Sequence, residues 1–289
     1  MALTVLQIVG TSFCGSSLLN ALLDTQDGIV ALGEVHRVCW PRSQDFYCLR
    51  CHTDDPLCCA FYRDFVNDGM DATDVYSYAA RRSGCNVLVD TSKSWFNVAR
   101  MFDRRYDIHA VVLSKSPHES AFSHRTHHGD MSMRECFRQY LLHYIGALRA
   151  FEMRGNPVIC VQYASLAKDF RRQVRYLCGL CGITCDERAL ESRLFSARSH
   201  SIRGNPAVIA QMMGNREFFS KHDKYHGRLG EIFLDEAWKG DASFLRECLA
   251  LYEEGSGELD QLLARLGHRT CAALAEDVRR ALMQSCVVA

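Results

Sequence analysis

A segment rich in glycine and serine follows the first apolar run of the chain and could bind an anion. The run VLQIV ends at Gly10, and Gly15, Ser16 and Ser17 follow before a second apolar run with helical spacing. This nearly matches the phosphate-binding pattern G-x-x-x-x-G-K-[ST], with Ser16 in place of the lysine. Backbone N–H groups in such a loop bind phosphate or sulfate groups, although ordinary strand-to-helix turns are also rich in these residues. Because the lysine is missing, the triphosphate chemistry of a kinase is disfavoured.

Charged side chains after two further apolar runs are of the types that group transfer needs. Glu34 follows GIVAL at 28–32, and its carboxylate could accept a proton from an attacking group. His36 is the alternative base, because the ordinary pKa of histidine lies near neutrality. Lys93 ends the segment DTSK after NVLVD, where its ammonium could stabilise negative charge on a leaving oxygen. The sequence therefore offers a base and a cation close to predicted strand ends.

The spacing of apolar residues predicts strands that alternate with helices. Strands are predicted before Gly10 and at 28–32, 86–90, 108–114 and 157–162, and helices at 16–24, 94–104, 132–153 and 167–182. Such alternation predicts an α/β fold with a parallel sheet flanked by helices. Ligands of these sheets bind beyond the carboxyl ends of the strands. Polar candidates do follow four of the predicted strands, at 10–17, 90–93, 115–123 and Tyr163.

Composition narrows the class of protein. The 289 residues fit one large domain or two small ones, and a hydrophobic share of 48% supports a sizeable core. The 34 basic residues balance 34 acidic ones, so no basic field points to nucleic acid. The apolar N-terminus has no basic flank, and no run approaches the ~20 residues of a membrane span. The 15 cysteines follow no pairing pattern, so mostly free thiols in a cytoplasmic protein without membrane contact are expected.

Six segments, in order along the chain, resemble the sulfotransferases that use 3′-phosphoadenosine 5′-phosphosulfate (PAPS). GTSFCGSSLLNALLDTQDGIVALGEVHRV resembles the 5′-phosphosulfate loop, its helix and the following Gly-Glu of that family. VLVDTSKSWFNVARM resembles the Asp-x-Ser-Lys segment of bacterial and tyrosylprotein-type members. VVLSKSPHESAFSHR resembles the 3′-phosphate motif, and VICVQYASLAKDFRRQVRYLCGLCGI resembles the Tyr-Glu-Asp-Leu strand and helix. HSIRGNP and FLDEAWKG resemble the late Gly-Asn loop and an Asp-x-x-Trp segment, so the resemblance covers residues 1 to about 240.

The resemblance implies one domain over residues 1–289 with the P-loop-like sulfotransferase fold. A cysteine-rich insert would occupy about 37–80, and a helical C-terminal part would begin at about 230. The implied reaction transfers a sulfonyl group from PAPS to a hydroxyl or amine of a small-molecule acceptor. The product nucleotide is 3′-phosphoadenosine 5′-phosphate (PAP), and no metal is required. The alternative is a divergent PAP- or PAPS-binding protein with little activity. The acceptor and the oligomeric state stay open.

The resemblance also assigns roles to individual residues. Glu34 matches the glutamate base of tyrosylprotein-type members. Apart from the resemblance, Lys93 stays the predicted cation for the bridging oxygen and His36 the competing base. Lys115 and Ser123 match the ligands of the 3′-phosphate. The predicted nucleotide-binding set is Thr11, Ser12, Phe13, Cys14, Gly15, Ser16, Ser17, Lys115, Ser123, Tyr163, Arg203 and Gly204.

Several positions depart from the pattern of the family. Phe13 stands where the loop usually carries Arg or Lys, so the loop lacks one positive charge. Lys115 replaces the usual arginine, which keeps the charge but loses bidentate geometry. Tyr163 is followed by Ala and Ser instead of Glu and Asp. We therefore expect a divergent member in which Lys93 or Arg203 replaces the missing cation.

The predicted insert contains the segment YCLRCHTDDPLCCAF, which is rich in cysteine and aromatic residues. Cys48 and Cys51 have the C-x2-C spacing of half a zinc site. Together with Cys58 and Cys59 they could bind zinc, form disulfides or stay free, and no metal ligand is assigned. The aromatic residues could line an acceptor pocket or form a local core; they are Trp40, Phe46, Tyr47, Phe61 and Tyr62. The segment HRTHHG at 124–129 is interpreted as a loop.

Overall fold

The structure is a computed structural model, and it describes residues 3–39, 46–93, 101, 103–128, 131–194, 198–202, 237–255 and 257–287. The predicted nucleotide-binding residues Arg203 and Gly204 lie outside these ranges, as do Trp40 and most of the helix predicted at 94–104.

A five-stranded parallel sheet forms the centre of the fold. Its strands are β1 Thr4–Val9, β2 Ile29–Gly33, β3 Val87–Lys93, β4 Asp107–Ser114 and β5 Val158–Gln162. The strand order is β2-β3-β1-β4-β5, and every pairing between neighbours is parallel. The carboxyl ends of all the strands therefore lie at one edge, and the predicted α/β fold class is confirmed.

Helices cover both faces of the sheet. They are α1 Ser16–Asp24, α2 His36–Cys39, α3 Arg63–Asn67, α4 Val75–Ser83, α5 Pro117–His128, α6 Met133–Glu152, α7 Tyr163–Lys168, α8 Phe170–Leu180, α9 Glu187–Ser192, α10 Ala242–Glu254, α11 Gly257–Arg265 and α12 Cys271–Val287. Short 3-10 turns lie at Pro56–Cys58, Ala72–Asp74 and Ala237–Gly240. Among the described residues, no helix combines the length and the apolar character that crossing a membrane requires.

Alternate residues of β1 supply two separate cores, as expected of a strand that is buried on both faces. Val5 and Val9 pack with α4 and α6 on one face, and Leu6 and Ile8 pack with α1 and α8 on the other. The C-terminal helices α10, α11 and α12 form a third cluster with α5 and α6. This cluster fixes α5, which follows the carboxyl end of β4.

Three of the five insert aromatics belong to a core, and Tyr47 is half-buried. Phe46, Phe61 and Tyr62 are buried in the cluster beneath β1 and α4. None of these three lines the cavity described below, within the part of the chain that the structure describes. Of the two roles considered for them, the structure favours the local core.

Three predicted elements differ from the structure. β3 continues to Lys93 instead of ending at 90, because Lys93 pairs with Val9 of β1 after a register shift that skips Thr91 and Ser92. The helix predicted at 167–182 is two helices, because Asp169 breaks it with an extended φ of −150° and caps α8 through the backbone N–H of Arg172. HRTHHG is helical up to His128, since α5 is held by packing of its first half against the C-terminal helices.

Candidate active site at the carboxyl edge of the sheet

A cavity of about 350 Å³ opens where β1, β2 and β3 end, and α5 and α6 close its far side. Of the predicted site residues, Thr11, Ser12, Glu34, His36 and Lys93 line it. Its other lining residues are Gly10, Arg37, Ser92, Ser120, Ala121, His124, Met131, Cys136, Gln139, Tyr140 and His143. The predicted loop, base and cation therefore share one cavity.

Glu34 lies in this cavity between two cations. Its Oε1 is 2.8 Å from Nζ of Lys93, and its Oε2 is 2.7 Å from Nε of Arg37. Its backbone N–H donates to the carbonyl of Ile202 at 2.8 Å, which fixes the start of the turn after β2. Burial raises the pKa of Glu34, but the charges of Lys93 and Arg37 outweigh it and leave the pKa below its ordinary value. The carboxylate is therefore ionised at neutral pH and could accept a proton.

A strand irregularity presents Lys93 to the cavity. The register of β3 against β1 shifts between Asp90 and Lys93, and Lys93 itself has a left-handed φ of 57°. Asp90 is fully buried below this irregularity, where it accepts hydrogen bonds from the Ser92 backbone N–H and the Tyr76 hydroxyl, both at 2.6 Å. Burial raises the pKa of Asp90 to about 6. Asp90 thus holds the turn that directs Lys93 toward Glu34.

Two histidines in the cavity are uncharged at neutral pH. The predicted alternative base, His36, begins α2, and its backbone N–H donates to Oγ of Ser92 at 3.2 Å. Burial, together with the charge of Arg37, lowers the pKa of His36 to about 4. Burial likewise lowers the pKa of His143 to about 4, and among the described residues its Nε2 has no hydrogen-bond partner. Both imidazoles could therefore accept hydrogen bonds from an acceptor molecule.

The predicted anion loop wraps the amino end of α1. Thr11 is fixed by two hydroxyls, because its Oγ1 is 3.1 Å from Oγ of Ser120 and its N–H donates to the Tyr144 hydroxyl at 3.4 Å. Gly15 caps α1 with a φ of 98°, a left-handed conformation that favours glycine. A Cβ at Gly15 would overlap the ring of Tyr163, so the loop and the start of α7 approach closely here.

The remaining loop residues differ in their access to solvent. Cys14 and Ser16 are buried, and Ser16 forms the first residue of α1, followed by the half-buried Ser17. Phe13 has a left-handed φ of 62°, and its ring meets that of His124 edge-on at 6.1 Å. The position at which the resembled family usually carries Arg or Lys is thus occupied by an aromatic contact with α5.

The predicted ligands of the 3′-phosphate, Lys115 and Ser123, lie together, and Lys115 also contacts the Tyr163 ring that approaches Gly15. Nζ of Lys115 is 4.6 Å from the centre of the Tyr163 ring and 3.5 Å from Oγ of Ser123. Lys115 and Ser123 follow β4, Tyr163 follows β5, and Gly15 follows β1. The sheet order therefore joins three segments that are distant in sequence into one cationic corner.

The C-terminal helices support this corner through contacts that the sequence did not reveal. Oγ of Ser114 is 2.8 Å from Nε2 of His268, and Nδ1 of His118 is 2.8 Å from the hydroxyl of Tyr252. The Tyr140 hydroxyl also donates to the carbonyl of Lys115 at 2.8 Å.

The polar cavity residues that were missed as candidates include Arg37, His124, Gln139 and His143. Gln139 and His143 lie beside the apolar face of α6, and polar residues next to that face were the signal available for them.

Comparison with known proteins identifies the fold. No family model matches the chain, and no curated protein matches it. The sulfotransferase domain from the curacin biosynthetic pathway is similar in structure, with a TM-score of 0.58 and 13% identity over 93% of this chain and 100% of that domain. The sulfotransferase domain of the Synechococcus PCC 7002 olefin synthase has a TM-score of 0.49 and 16% identity, covering 88% and 95%. Mouse sulfotransferase SULT7A1 complexed with PAP has a TM-score of 0.46 and 10% identity, covering 98% and 90%. The chain therefore has the sulfotransferase fold.

Proposed function

We propose that this protein is a sulfotransferase that moves a sulfonyl group from PAPS to a hydroxyl or amine of a small-molecule acceptor. The observation that carries the proposal is the contact of Glu34 with Lys93 in a cavity that the anion loop also lines. A base and a cation at 2.8 Å supply both charges that sulfonyl transfer requires. The fold and the order of the resembling segments agree with this reaction.

In the proposed reaction, the acceptor oxygen or nitrogen attacks the sulfur atom of PAPS. The bond between sulfur and the bridging oxygen breaks, and its electron pair stays on the 5′-phosphate of PAP. Glu34 takes the proton of the acceptor, and Lys93 stabilises the charge that grows on the bridging oxygen. When the donor is absent, the two side chains neutralise each other. Binding of the phosphosulfate draws Lys93 toward the new anion and leaves Glu34 the stronger base.

The two phosphates of the donor would occupy two separate places. The 5′-phosphosulfate lies against the loop from Thr11 to Ser17, where the backbone and the start of α1 favour an anion. The 3′-phosphate lies between Lys115 and Ser123, which are already 3.5 Å apart. In this arrangement Tyr163 holds the Lys115 ammonium over its ring until the phosphate arrives. Arg203 and Gly204 stay predicted contributors.

The cavity suits an acceptor of modest size. Its volume of about 350 Å³ is at the lower end of the range for small-molecule sites. Its wall combines the hydrogen-bonding side chains of Gln139 and His143 with the apolar Ala121 and Met131. These groups favour an acceptor that has one polar end directed at Glu34 and an apolar remainder.

A second function is favoured by one observation, the aromatic contact of Phe13 with His124 at the position of the missing cation. A protein with this loop could bind PAP or PAPS and turn over little. The test combines calorimetry and a turnover assay. Tight binding of PAP without magnesium, with release of PAP from PAPS that depends on an acceptor, supports the transferase. Binding without turnover across an acceptor library supports the second function, and preferential binding of ATP contradicts both.

A further inference from the structure

Four side chains with atoms that bind metals converge outside the cavity. They are Cys48, Cys51, Cys59 and His200, and their ligand atoms all lie within 4.8 Å of one another. The three sulfurs lie 3.5, 3.3 and 3.6 Å from Nδ1 of His200, and the sulfurs of Cys51 and Cys59 are 3.8 Å apart. One histidine thus completes a group of three cysteines that come from the insert.

These separations are those of a tetrahedral zinc site. With Zn–S bonds of about 2.3 Å and Zn–N bonds of about 2.0–2.1 Å, tetrahedral angles place two sulfurs about 3.8 Å apart and a sulfur about 3.6 Å from the nitrogen. The observed S–S distance of 3.8 Å and S–N distances of 3.3–3.6 Å agree with both values. The side chains therefore already outline the coordination shell of an ion.

The chain around the cluster is arranged as a closed structural site. Cys48 and Cys51 lie in one turn, where the Cys51 backbone N–H is directed at the Cys48 sulfur at 3.5 Å. Cys59 follows the 3-10 turn Pro56–Cys58, and the ring of His200 stacks on that of Phe61 at 5.1 Å. Cys48 and Cys59 are fully buried. Four protein ligands with little access for water are typical of structural zinc, whereas catalytic zinc keeps an open position.

A disulfide between two of these cysteines fits the geometry less well than a zinc site. A disulfide would join two of the three sulfurs. It would leave the third sulfur and the imidazole of His200 without a role. Cys58 does not take part, because it is exposed and its sulfur lies 3.5 Å from Oδ2 of Asp55. Adjacent Cys58 and Cys59 therefore have different surroundings, and this makes them a matched pair for a test.

We propose that Cys48, Cys51, Cys59 and His200 bind one structural Zn²⁺ ion. The ion ties the insert to the segment 198–202, which adds to the edge of the sheet. Ile202 donates its N–H to the carbonyl of Leu32 at 2.9 Å and accepts from the Glu34 N–H at 2.8 Å. The site therefore fixes the backbone that positions Glu34, but it takes no part in proton or sulfonyl transfer.

The test measures metal content by mass spectrometry after expression with added zinc and purification in reductant without chelator. The unmodified chain is expected to hold about one zinc ion per molecule. Cys59→Ser and His200→Ala are expected to hold less than about a fifth of that, because removing one of the four ligands of this site weakens zinc binding. The controls Cys58→Ser and His52→Ala should keep the full content, and His200→Cys should keep it by forming a four-thiolate site.

Two further measurements do not depend on the variants. Replacing zinc by Co²⁺ in the unmodified chain should give the intense visible absorption of tetrahedral cobalt with thiolate ligands. Removal of zinc by a chelator should lower the melting temperature, and added zinc should restore it. The proposal is overturned if the unmodified chain holds no zinc, holds iron instead, or contains a disulfide between two of these cysteines. It is overturned equally if Cys59→Ser retains its zinc.

Discussion

Nζ of Lys93 and Oε1 of Glu34 lie 2.8 Å apart although 59 residues separate them in sequence. The contact exists because β2 and β3 are neighbours in the sheet, so the turn after one strand meets the end of the other. Arg37 holds the second carboxylate oxygen at 2.7 Å. Both cations keep Glu34 ionised, and each can be removed separately by mutation.

The proposed base is tested by Glu34→Gln, which keeps the size of the side chain but removes proton acceptance. Turnover should fall by about 10²–10⁴, the usual contribution of a general base, while PAP affinity stays nearly unchanged. Steady-state kinetics and calorimetry give the two quantities. His36→Ala is the comparison variant, because it removes the alternative base and keeps the backbone N–H that donates to Ser92. If Glu34→Gln keeps most of its activity and His36→Ala is inactive, the two roles must be exchanged.

Lys93→Met tests the proposed cation. Turnover should fall by about 10² or more, while PAP affinity changes little, because charge on the bridging oxygen grows only as the S–O bond breaks. Lys93 has a left-handed φ of 57°, which glycine adopts without strain. Methionine is therefore the better replacement, because it removes the charge without relaxing the backbone. Removing the ammonium should also raise the pKa of Glu34, so the acid limb of the pH–rate profile should move to higher pH. An unchanged rate in a folded variant would exclude this role.

Lys115→Ala separates the two phosphates of the nucleotide. We expect it to weaken PAP by roughly 1.5–3 kcal/mol, the worth of a charged hydrogen bond, and to affect adenosine 5′-phosphate much less. Calorimetry with both nucleotides measures the difference. Equal weakening of the two ligands would place Lys115 away from the 3′-phosphate.

Gly15→Ala tests the close approach of the loop to Tyr163. The added Cβ meets the Tyr163 ring and also demands a left-handed backbone, so we expect a loss of about 1–3 kcal/mol in the free energy of unfolding and weaker PAP binding. Gly69→Ala is the matched control, because Gly69 has a φ of 58° but nothing within 4 Å of its Cβ position. Chemical denaturation of both variants measures how much larger the loss in the free energy of unfolding is for Gly15→Ala than for Gly69→Ala. Equal losses would mean that backbone strain alone matters.

Stability should fall as the pH is lowered from neutrality. Burial lowers the pKa of four histidines to about 4, which are His36, His118, His143 and His268. In the unfolded chain these groups titrate near 6.5, so between about pH 6.5 and 4 the unfolded state binds more protons and the native state loses stability. Asp90 and Asp24 act in the opposite direction, because burial raises the pKa of Asp90 to about 6 and also raises that of Asp24, but they are two groups against four.

We therefore expect a lower melting temperature at pH 5 than at pH 7, measured by calorimetry. His268→Gln should reduce that difference, since one of the four groups is removed, whereas substitution of the exposed His52 should not. A melting temperature that rises on acidification would show that the buried carboxyl groups dominate.

Much of the fold followed from local patterns, but the site depended on more distant relationships. The apolar runs located β4 and α1 closely, because buried strands and amphipathic helices have clear periods. The end of β3 was missed, because Thr91, Ser92 and Lys93 are polar and pairing with β1 resumes at Lys93 only after a register shift.

The partners of the candidate residues were harder to predict than their positions. Glu34 meets Lys93 because of the strand order, and the spacing of residues along the chain does not reveal that order. His200 is 141 residues from Cys59, so a search for nearby ligands in the insert found the three cysteines without their histidine.

The central position of β1 has a consequence for the growing polypeptide on the ribosome. Thr4 pairs with Val87, so 83 residues must be added before β1 can meet its neighbour β3. Its other neighbour, β4, begins only at Asp107. At synthesis rates of about 5–20 residues per second, the apolar TVLQIV segment waits roughly 4 to 17 s without a partner strand. Nascent chains stalled after residue 80 should therefore recruit chaperones through this segment, and those stalled well beyond 114 should release them. Crosslinking of stalled chains at both lengths would measure this, and equal chaperone contact at both would contradict it.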